Sequence, residues 1–201
     1  MKILVFSDIH GDVKSLERIM AIEADLYFAA GDLVTWARGF DKVAAAMKPK
    51  ADRVYVIPGN HESPAMIEVF CDSYGFQELH GKSIEVDGVW LAGLGCSSPT
   101  PFDTPGEYSE AEFEEMLAPF SGLKPLVAIC HSPPKRSKLD RAGEGQHFGS
   151  EAIRKFIERE QPAYFFCGHI HEAEGVEERF GATVGINVGK KAYLLDLAQV
   201  R

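Results

Sequence analysis

The chain has 201 residues, of which 45% are hydrophobic and 25% charged, and its formal net charge is −9. That length supports one sizeable core, read as a single domain over residues 1–201. The acidic balance argues against a nonspecific nucleic-acid binder, which needs a basic surface.

Cys71, Cys96, Cys130 and Cys167 form no C-x-x-C pair. Each sits in or beside an apolar run, as free thiols do in a reducing, cytoplasmic setting. The opening MKILVF is too short an apolar stretch for a signal peptide before Asp8 and His10 interrupt it. No apolar run approaches the roughly 20 residues needed to span a bilayer, so no membrane partner is expected.

In chain order, residues 2–6 (KILVF) read as a strand. Residues 12–22 read as a helix with Asp12 as N-cap and Leu16, Ile19 and Met20 at helical spacing. Residues 25–30 (DLYFAA) and 53–58 (RVYVIP) are the next two strands. Ser63 and Pro64 open a helix through Phe70. Asp87-Gly88 joins two strands as a type I′ hairpin. Ser109 and Glu112 form a capping box for a helix over 109–117. Residues 125–130 and 163–167 are buried strands, with a Ser150-capped helix between them. Residues 182–188 and 191–197 are expected to close the fold as an antiparallel pair. The pattern is that of a layered α/β fold, part parallel and part antiparallel.

Five of these strands run directly into polar residues. They end in Ser7-Asp8-Ile9-His10, Gly31-Asp32, Gly59-Asn60-His61-Glu62, His131 and Gly168-His169-Ile170-His171. Singly, each is ordinary: Gly-Asp and Gly-Asn are turn chemistry, and a lone histidine at a strand end is usually a satisfied one. Jointly they form a pattern, because the carboxyl ends of parallel strands share one edge, where sites form. Asp, His and Asn donors without a thiolate suit Mn²⁺, Fe or Zn²⁺. The donors exceed the needs of one ion, which implies two divalent metals. Ions roughly 3.5–4 Å apart clamp an in-line phosphoryl displacement, and a bridging carboxylate sets that spacing. Asp32 is the candidate bridge, as the one carboxylate without a histidine beside it.

With these residues in place, the chain resembles the calcineurin-like metallophosphoesterase superfamily. Its pattern is D-x-H, G-D, G-N-H-[DE], H and G-H-x-H, supplied here by SDIH, AGDL, PGNHE, ICHSPP and CGHIHE in that order. Segments 93–110 and 131–150 look like the small phosphoesterases related to the Icc group. The resemblance implies a four-layer α-β-β-α sandwich of mixed sheets. It implies a first metal on Asp8, His10, Asp32 and His171, and a second on Asp32, Asn60, His131 and His169. It implies hydrolysis of a phosphate ester by metal-activated hydroxide, with His61 as general acid and Glu62 orienting His61 through a hydrogen bond. Many relatives continue Gly-Asp with x-x-Asp-Arg-Gly. Thr35 stands in that Asp place here, which points away from the phosphoprotein phosphatases.

Around this set lie weaker candidates. Arg136, Lys138 and Arg141, with Lys135, reverse the local charge after His131 and read equally as a phosphate-steering loop or a solvated surface loop. His147, just ahead of a helix start, is either a candidate substrate contact or a packed loop histidine, the latter preferred. Trp36 and Phe40 suit either base stacking or loop packing, the latter preferred. The expected substrate is a small phosphate ester, a nucleotide among the candidates, with a phosphodiester favoured. A phosphomonoesterase and a catalytically silent scaffold are the alternatives. The sequence does not say whether residues 97–115 cover the site, nor what the oligomeric state is.

Overall fold

Near-continuous burial along the central strands sets the architecture of the computed structural model, which describes residues 1–200. The strands are β1 (Lys2–Phe6), β2 (Leu26–Ala30), β3 (Val54–Ile57), β4 (Gln77–Glu78), β5 (Lys82–Val86), β6 (Val89–Leu94), β7 (Leu126–Cys130), β8 (Arg141–Ala142), β9 (Gln146–His147), β10 (Tyr164–Cys167), β11 (Glu177–Phe180), β12 (Thr183–Asn187) and β13 (Tyr193–Asp196). The α-helices are α1 (Val13–Met20), α2 (Phe40–Met47), α3 (Pro64–Tyr74), α4 (Glu110–Leu117) and α5 (Glu151–Glu160).

One sheet has the order β13-β1-β2-β3-β4 and the other β11-β12-β10-β7-β6-β5, with β8 and β9 a separate ribbon. Successive side chains of a strand point to opposite faces, so each sheet buries two surfaces. Ile3, Val5 and Phe28 of the first sheet meet Val127, Ile129 and Phe166 of the second in a shared inner layer. Leu4, Phe6 and Ala29 face outward onto Leu16, Val43, Met47 and Ile67 of α1, α2 and α3. Ala128, Cys130 and Phe165 face outward onto Phe113, Leu117 and Phe156 of α4 and α5. The result is the four-layer α-β-β-α sandwich, with two mixed sheets. Because both faces of each central strand are covered, β1, β2, β7 and β10 read as continuous apolar runs rather than alternating ones.

The caps read from sequence form. The side chains of Asp12, Ser63, Ser109 and Ser150 each accept a backbone N–H of the first turn of α1, α3, α4 and α5. Asp87 and Gly88 have φ of 52° and 75°, as the type I′ hairpin between β5 and β6 requires.

Three features differ from the sequence expectation. β12 and β13 do not pair: β12 lies parallel to β10 in the second sheet, and β13 closes the first sheet antiparallel to β1. The short link between them, Gly189–Lys191, crosses from one sheet to the other. Helix α2 has no counterpart in the sequence reading, because Gly39 begins it without any side-chain cap. Helix α3 continues past Phe70 to Tyr74 and stops at left-handed Gly75.

Candidate metal centre

The parallel strands β1, β2 and β3 of one sheet and β7 and β10 of the other all deliver their carboxyl ends to one side of the sandwich. The five polar segments therefore converge from two sheets rather than along one edge. Asp8, His10 and His171 form one cluster of potential donors, and Asp32, His131 and His169 another, with His61 beside His10 and Asp32.

Distances divide the donors into two groups that share one carboxylate. In the first, His10 Nε2 lies 3.0 Å from His171 Nε2, and His171 Nε2 lies 3.6 Å from Asp8 Oδ1. In the second, Asn60 Oδ1 lies 2.9 Å from His169 Nδ1 and 3.2 Å from His131 Nε2. Asp32 Oδ2 is 3.5 Å from His10 Nε2 and 3.5 Å from His131 Nε2. Its other oxygen, Oδ1, is engaged by the backbone N–H of His61 at 3.0 Å, which leaves Oδ2 for both groups. Ligands about 2.0–2.2 Å from a common ion stand roughly 3–3.5 Å from one another. The donor set and its spacing thus fit two divalent cations with Asp32 between them.

The protein holds these donors by backbone contacts and close packing. Asp8, His10, Asp32 and His169 all have left-handed φ, between 49° and 70°. Non-glycine residues take that conformation at a cost, and such strain clusters at functional sites. Both Asp8 carboxylate oxygens accept the N–H of His169 at 3.1 Å, linking the first and last segments of the motif. Gly168 allows this approach, because a Cβ there would fall 2.1 Å from Ser7 Oγ and 2.3 Å from Asp8 Oδ2. Gly59 does the same beneath Asp32, where a Cβ would lie 2.0 Å from Oδ1.

Outer partners set the ring orientations. His131 Nδ1 donates to the Ala30 carbonyl at 2.9 Å, which leaves Nε2 as its free lone pair. His10 Nδ1 hydrogen-bonds Thr35 Oγ1 at 3.2 Å, so the threonine at the departure from the family pattern supports His10. Burial would raise the Asp32 carboxyl, but His131 and His10 beside it hold it well below the carboxylate range. Burial disfavours charge on His131 too, yet Asp32 and Asp8 lift it to about 9. These buried carboxylates create a demand for positive charge that protons on imidazole meet in the absence of cations.

His61 is placed differently from the donors. Its Nδ1 accepts the backbone N–H of Trp36 at 3.3 Å, so its proton resides on Nε2. Glu62 does not reach the His61 ring. Fully buried, its carboxylate accepts the N–H groups of Asp32 (3.1 Å), Val34 (2.9 Å) and Gly59 (2.9 Å). Its hold on His61 runs through the two loops it ties together. Burial, with Asp32 nearby, pushes Glu62 up to about 8.

The donors open into a cleft of about 450 Å³ lined by His10, Asp32, Asn60, His61, His169 and His171 together with residues of two loops. The first loop, residues 98–102, forms one wall, and Thr104 accepts from Asn60 Nδ2 at 3.2 Å. Arg136, Lys138, Arg141 and His147 are not among the lining residues. Lys138 lines a groove with Glu177 and Glu178. His147 Nδ1 lies 2.7 Å from buried Asp140, which turns the ring toward its own loop. Arg136 and Arg141 are exposed on that loop. Trp36 stands half exposed, edge-on to His61 at 5.5 Å, while Phe40 packs on Phe70 at 4.8 Å.

Two supporting residues escaped the sequence reading. Asn187, buried at the end of β12, donates to the carbonyls of Gly168 and Ile170 at 3.1 and 3.0 Å and so braces the Gly-His-x-His turn. Asp140 gathers the N–H groups of Arg136, Ser137 and Gly149. Neither sits in a motif, and their partners lie on backbone that only folding brings near.

The sequence model of the calcineurin-like phosphoesterase family matches residues 1–173. An uncharacterized protein of Methanocaldococcus jannaschii is 29% identical over 202 residues, covering 97% of this chain and 91% of its own. Among solved structures, a Thermus thermophilus protein superposes with a TM-score of 0.72 at 19% identity, covering 100% of this chain and 96% of that one. A dimetal phosphatase from Danio rerio gives 0.66 at 12% identity, covering 93% and 86%. At such identities the structural likeness shows the fold.

Proposed function

The chain belongs to the calcineurin-like phosphoesterase family, and on that premise we propose that it is a dinuclear metal-dependent hydrolase of small phosphate esters, acting on diesters in preference to monoesters. Family membership and the His/Asp clusters support metal-dependent phosphoester hydrolysis as such. The observation that carries the dinuclear reading is Asp32 Oδ2, 3.5 Å from a histidine nitrogen of each donor group.

Asp8, His10, Asp32 and His171 would hold one cation, and Asp32, Asn60, His131 and His169 the other. Mn²⁺, Fe and Zn²⁺ all match this donor chemistry. When bound, two such cations lower the pKa of water and offset charge on phosphoryl oxygens. The chain's own contribution is the proton on His61 Nε2, kept there by the Trp36 N–H on Nδ1 and available to a departing alkoxide. General acid catalysis of this kind is worth about 10²–10⁴-fold. Glu62 and Asp32 position His61 through backbone contacts.

No helix of the described residues is long and apolar enough to cross a membrane. The four buried free cysteines support a reducing, cytoplasmic setting.

The test reconstitutes the protein with Mn²⁺, counts metal per chain, and compares bis-p-nitrophenyl phosphate with p-nitrophenyl phosphate, using His61→Ala as control. Two ions per chain and faster turnover of the diester, lost in the control, are expected. Faster monoester turnover would make it a phosphatase. Two bound ions with turnover of neither would favour a scaffold.

A further inference from the structure

The cleft above the donors has walls unlike its floor. Two separate loops line it, one with Pro99, Pro101 and Phe102 and another with Phe148, and most of the cleft lining is apolar. Phe102 is 71% exposed and Phe148 41% exposed. Neither ring packs against another aromatic side chain among the described residues. Two phenyl rings left in water on separate loops, both bordering a catalytic cleft, contribute little to the core and mark a binding surface.

Hydrogen bonds fix the backbone of both loops that carry those rings. Glu107 accepts from Thr100 Oγ1 at 2.6 Å and from the Thr104 N–H at 2.8 Å, while the Phe102 N–H donates to Thr100 Oγ1 at 3.2 Å. In the second loop, the carbonyl of Asp140 accepts the Phe148 N–H at 3.3 Å, and its carboxylate accepts the Gly149 N–H at 3.1 Å. Asp140 is fully buried, so the Phe148 loop hangs from an anchor inside the protein. Loop backbone ordered before a ligand arrives lowers the entropy cost of binding it.

Charge narrows the ligand further. Among the described residues, no lysine or arginine lines the cleft, whereas Asp32 and Glu172 do. Beyond the two divalent cations that the donors would hold, a monoester dianion would find no lysine or arginine in the lining for its second charge. A diester carries one charge, and its second alcohol needs a place to sit. The apolar walls supply that place.

We propose that Phe102 and Phe148 are specificity-determining residues that select phosphodiesters bearing a planar aromatic group, which they stack or clamp beside the donors. The assignment rests on the hydrolase reading above and deepens it. Stacking on an aromatic side chain is worth roughly 5- to 150-fold in affinity per ring by alanine substitution.

The experiment measures binding of diphenyl phosphate and diethyl phosphate to the Mn²⁺-loaded protein by calorimetry. Wild type is compared with Phe102→Ala, Phe148→Ala, the double variant and Phe148→Tyr, with bound metal counted in each. The expected result is a preference for the diphenyl ester of roughly 30-fold, reduced about fivefold by each alanine. The double variant should leave little preference, and Phe148→Tyr should retain it. Equal affinity of wild type for the two esters, or a preference that survives the double variant, would overturn the proposal. Turnover of bis-p-nitrophenyl phosphate without any aryl preference would sink this inference and leave the hydrolase reading standing. An aryl preference without turnover of any ester would do the reverse.

Discussion

The two halves of the donor cluster share Asp32 and use the same residue types, but they are set at different depths. His131 is wholly buried and Asn60 nearly so; His131 Nδ1 donates to the Ala30 carbonyl and Asn60 Nδ2 to the Thr104 hydroxyl. In the other half, the His171 side chain is 58% exposed and that of His10 18% exposed. Sequence spacing explains the contrast. His131 follows a fully buried strand at once, whereas His171 stands four residues beyond the end of β10, where the chain has already turned toward solvent. Depth buys preorganisation in one half and leaves access in the other.

If the halves are coupled through Asp32, removing its charge disturbs both at once. Asp32→Asn is expected to cost about 10³-fold or more in kcat/KM, which is about 4 kcal/mol of transition-state stabilisation. It should also lower the metal count to one or none per chain. Two ions retained at full occupancy would break the comparison at its centre.

The difference in depth predicts unequal effects on the fold. His131→Gln removes a buried hydrogen bond to the Ala30 carbonyl, which keeps the Ser7 hydroxyl as a donor at 2.9 Å, for a loss of about 1–1.5 kcal/mol and a drop in Tm of roughly 2–6 °C. His171→Gln should shift Tm by less than about 2 °C, as exposed substitutions generally do. Thermal unfolding of the two metal-free variants decides it, and equal shifts would refute the asymmetry.

Acid will protonate donor histidines and strip metal, so loss of the fold must be separated from loss of the site. His80 provides that control, away from both halves. Its Nδ1 accepts the Gly95 N–H at 3.0 Å and its Nε2 meets the Tyr108 hydroxyl at 2.9 Å. Burial, aided by Lys82, pushes it down to about 4. The unfolded chain therefore takes up this proton first. The stability tied to neutral His80 is complete above about pH 6.5 and is lost as pH falls toward 4, on the order of 2–3 kcal/mol. Urea unfolding of metal-free His80→Gln should show a flatter profile across that window, and an unchanged slope would reject the assignment.

The smallest expected effect sharpens the exposed half alone. Thr35→Val leaves His10 Nδ1 without its partner and should weaken one of two metal-binding steps about tenfold, the other being unaffected. Calorimetric titration with Mn²⁺ would resolve the two steps, and a change in both would mean that Thr35 acts more widely than through His10.

Much of this was legible in the chain because it is local. A cap needs one oxygen at the right offset, so Asp12, Ser63, Ser109 and Ser150 could be read directly. A donor at a strand exit needs only an apolar run and the residue that follows. Glu62 was seen as part of the motif, but its role was not, because its partners come from the β2 and β3 loops. Asn187 looks like any turn-proximal asparagine until β12 is laid beside β10.

The order of residues along the chain already sets which donors stand at the five strand exits, and with them the chemistry of the centre. Which sheet each strand joins is a matter of packing. The runs at Thr183–Asn187 and Tyr193–Asp196 have equivalent strand character, yet they went to different sheets. Strand propensity is a property of the segment, whereas a pairing partner is chosen by burial summed over both sheets. The same holds for the cleft. Phe102 and Phe148 are unremarkable in two glycine- and proline-bearing loops, and they face a common space only because the carboxyl ends of two sheets were folded to the same side.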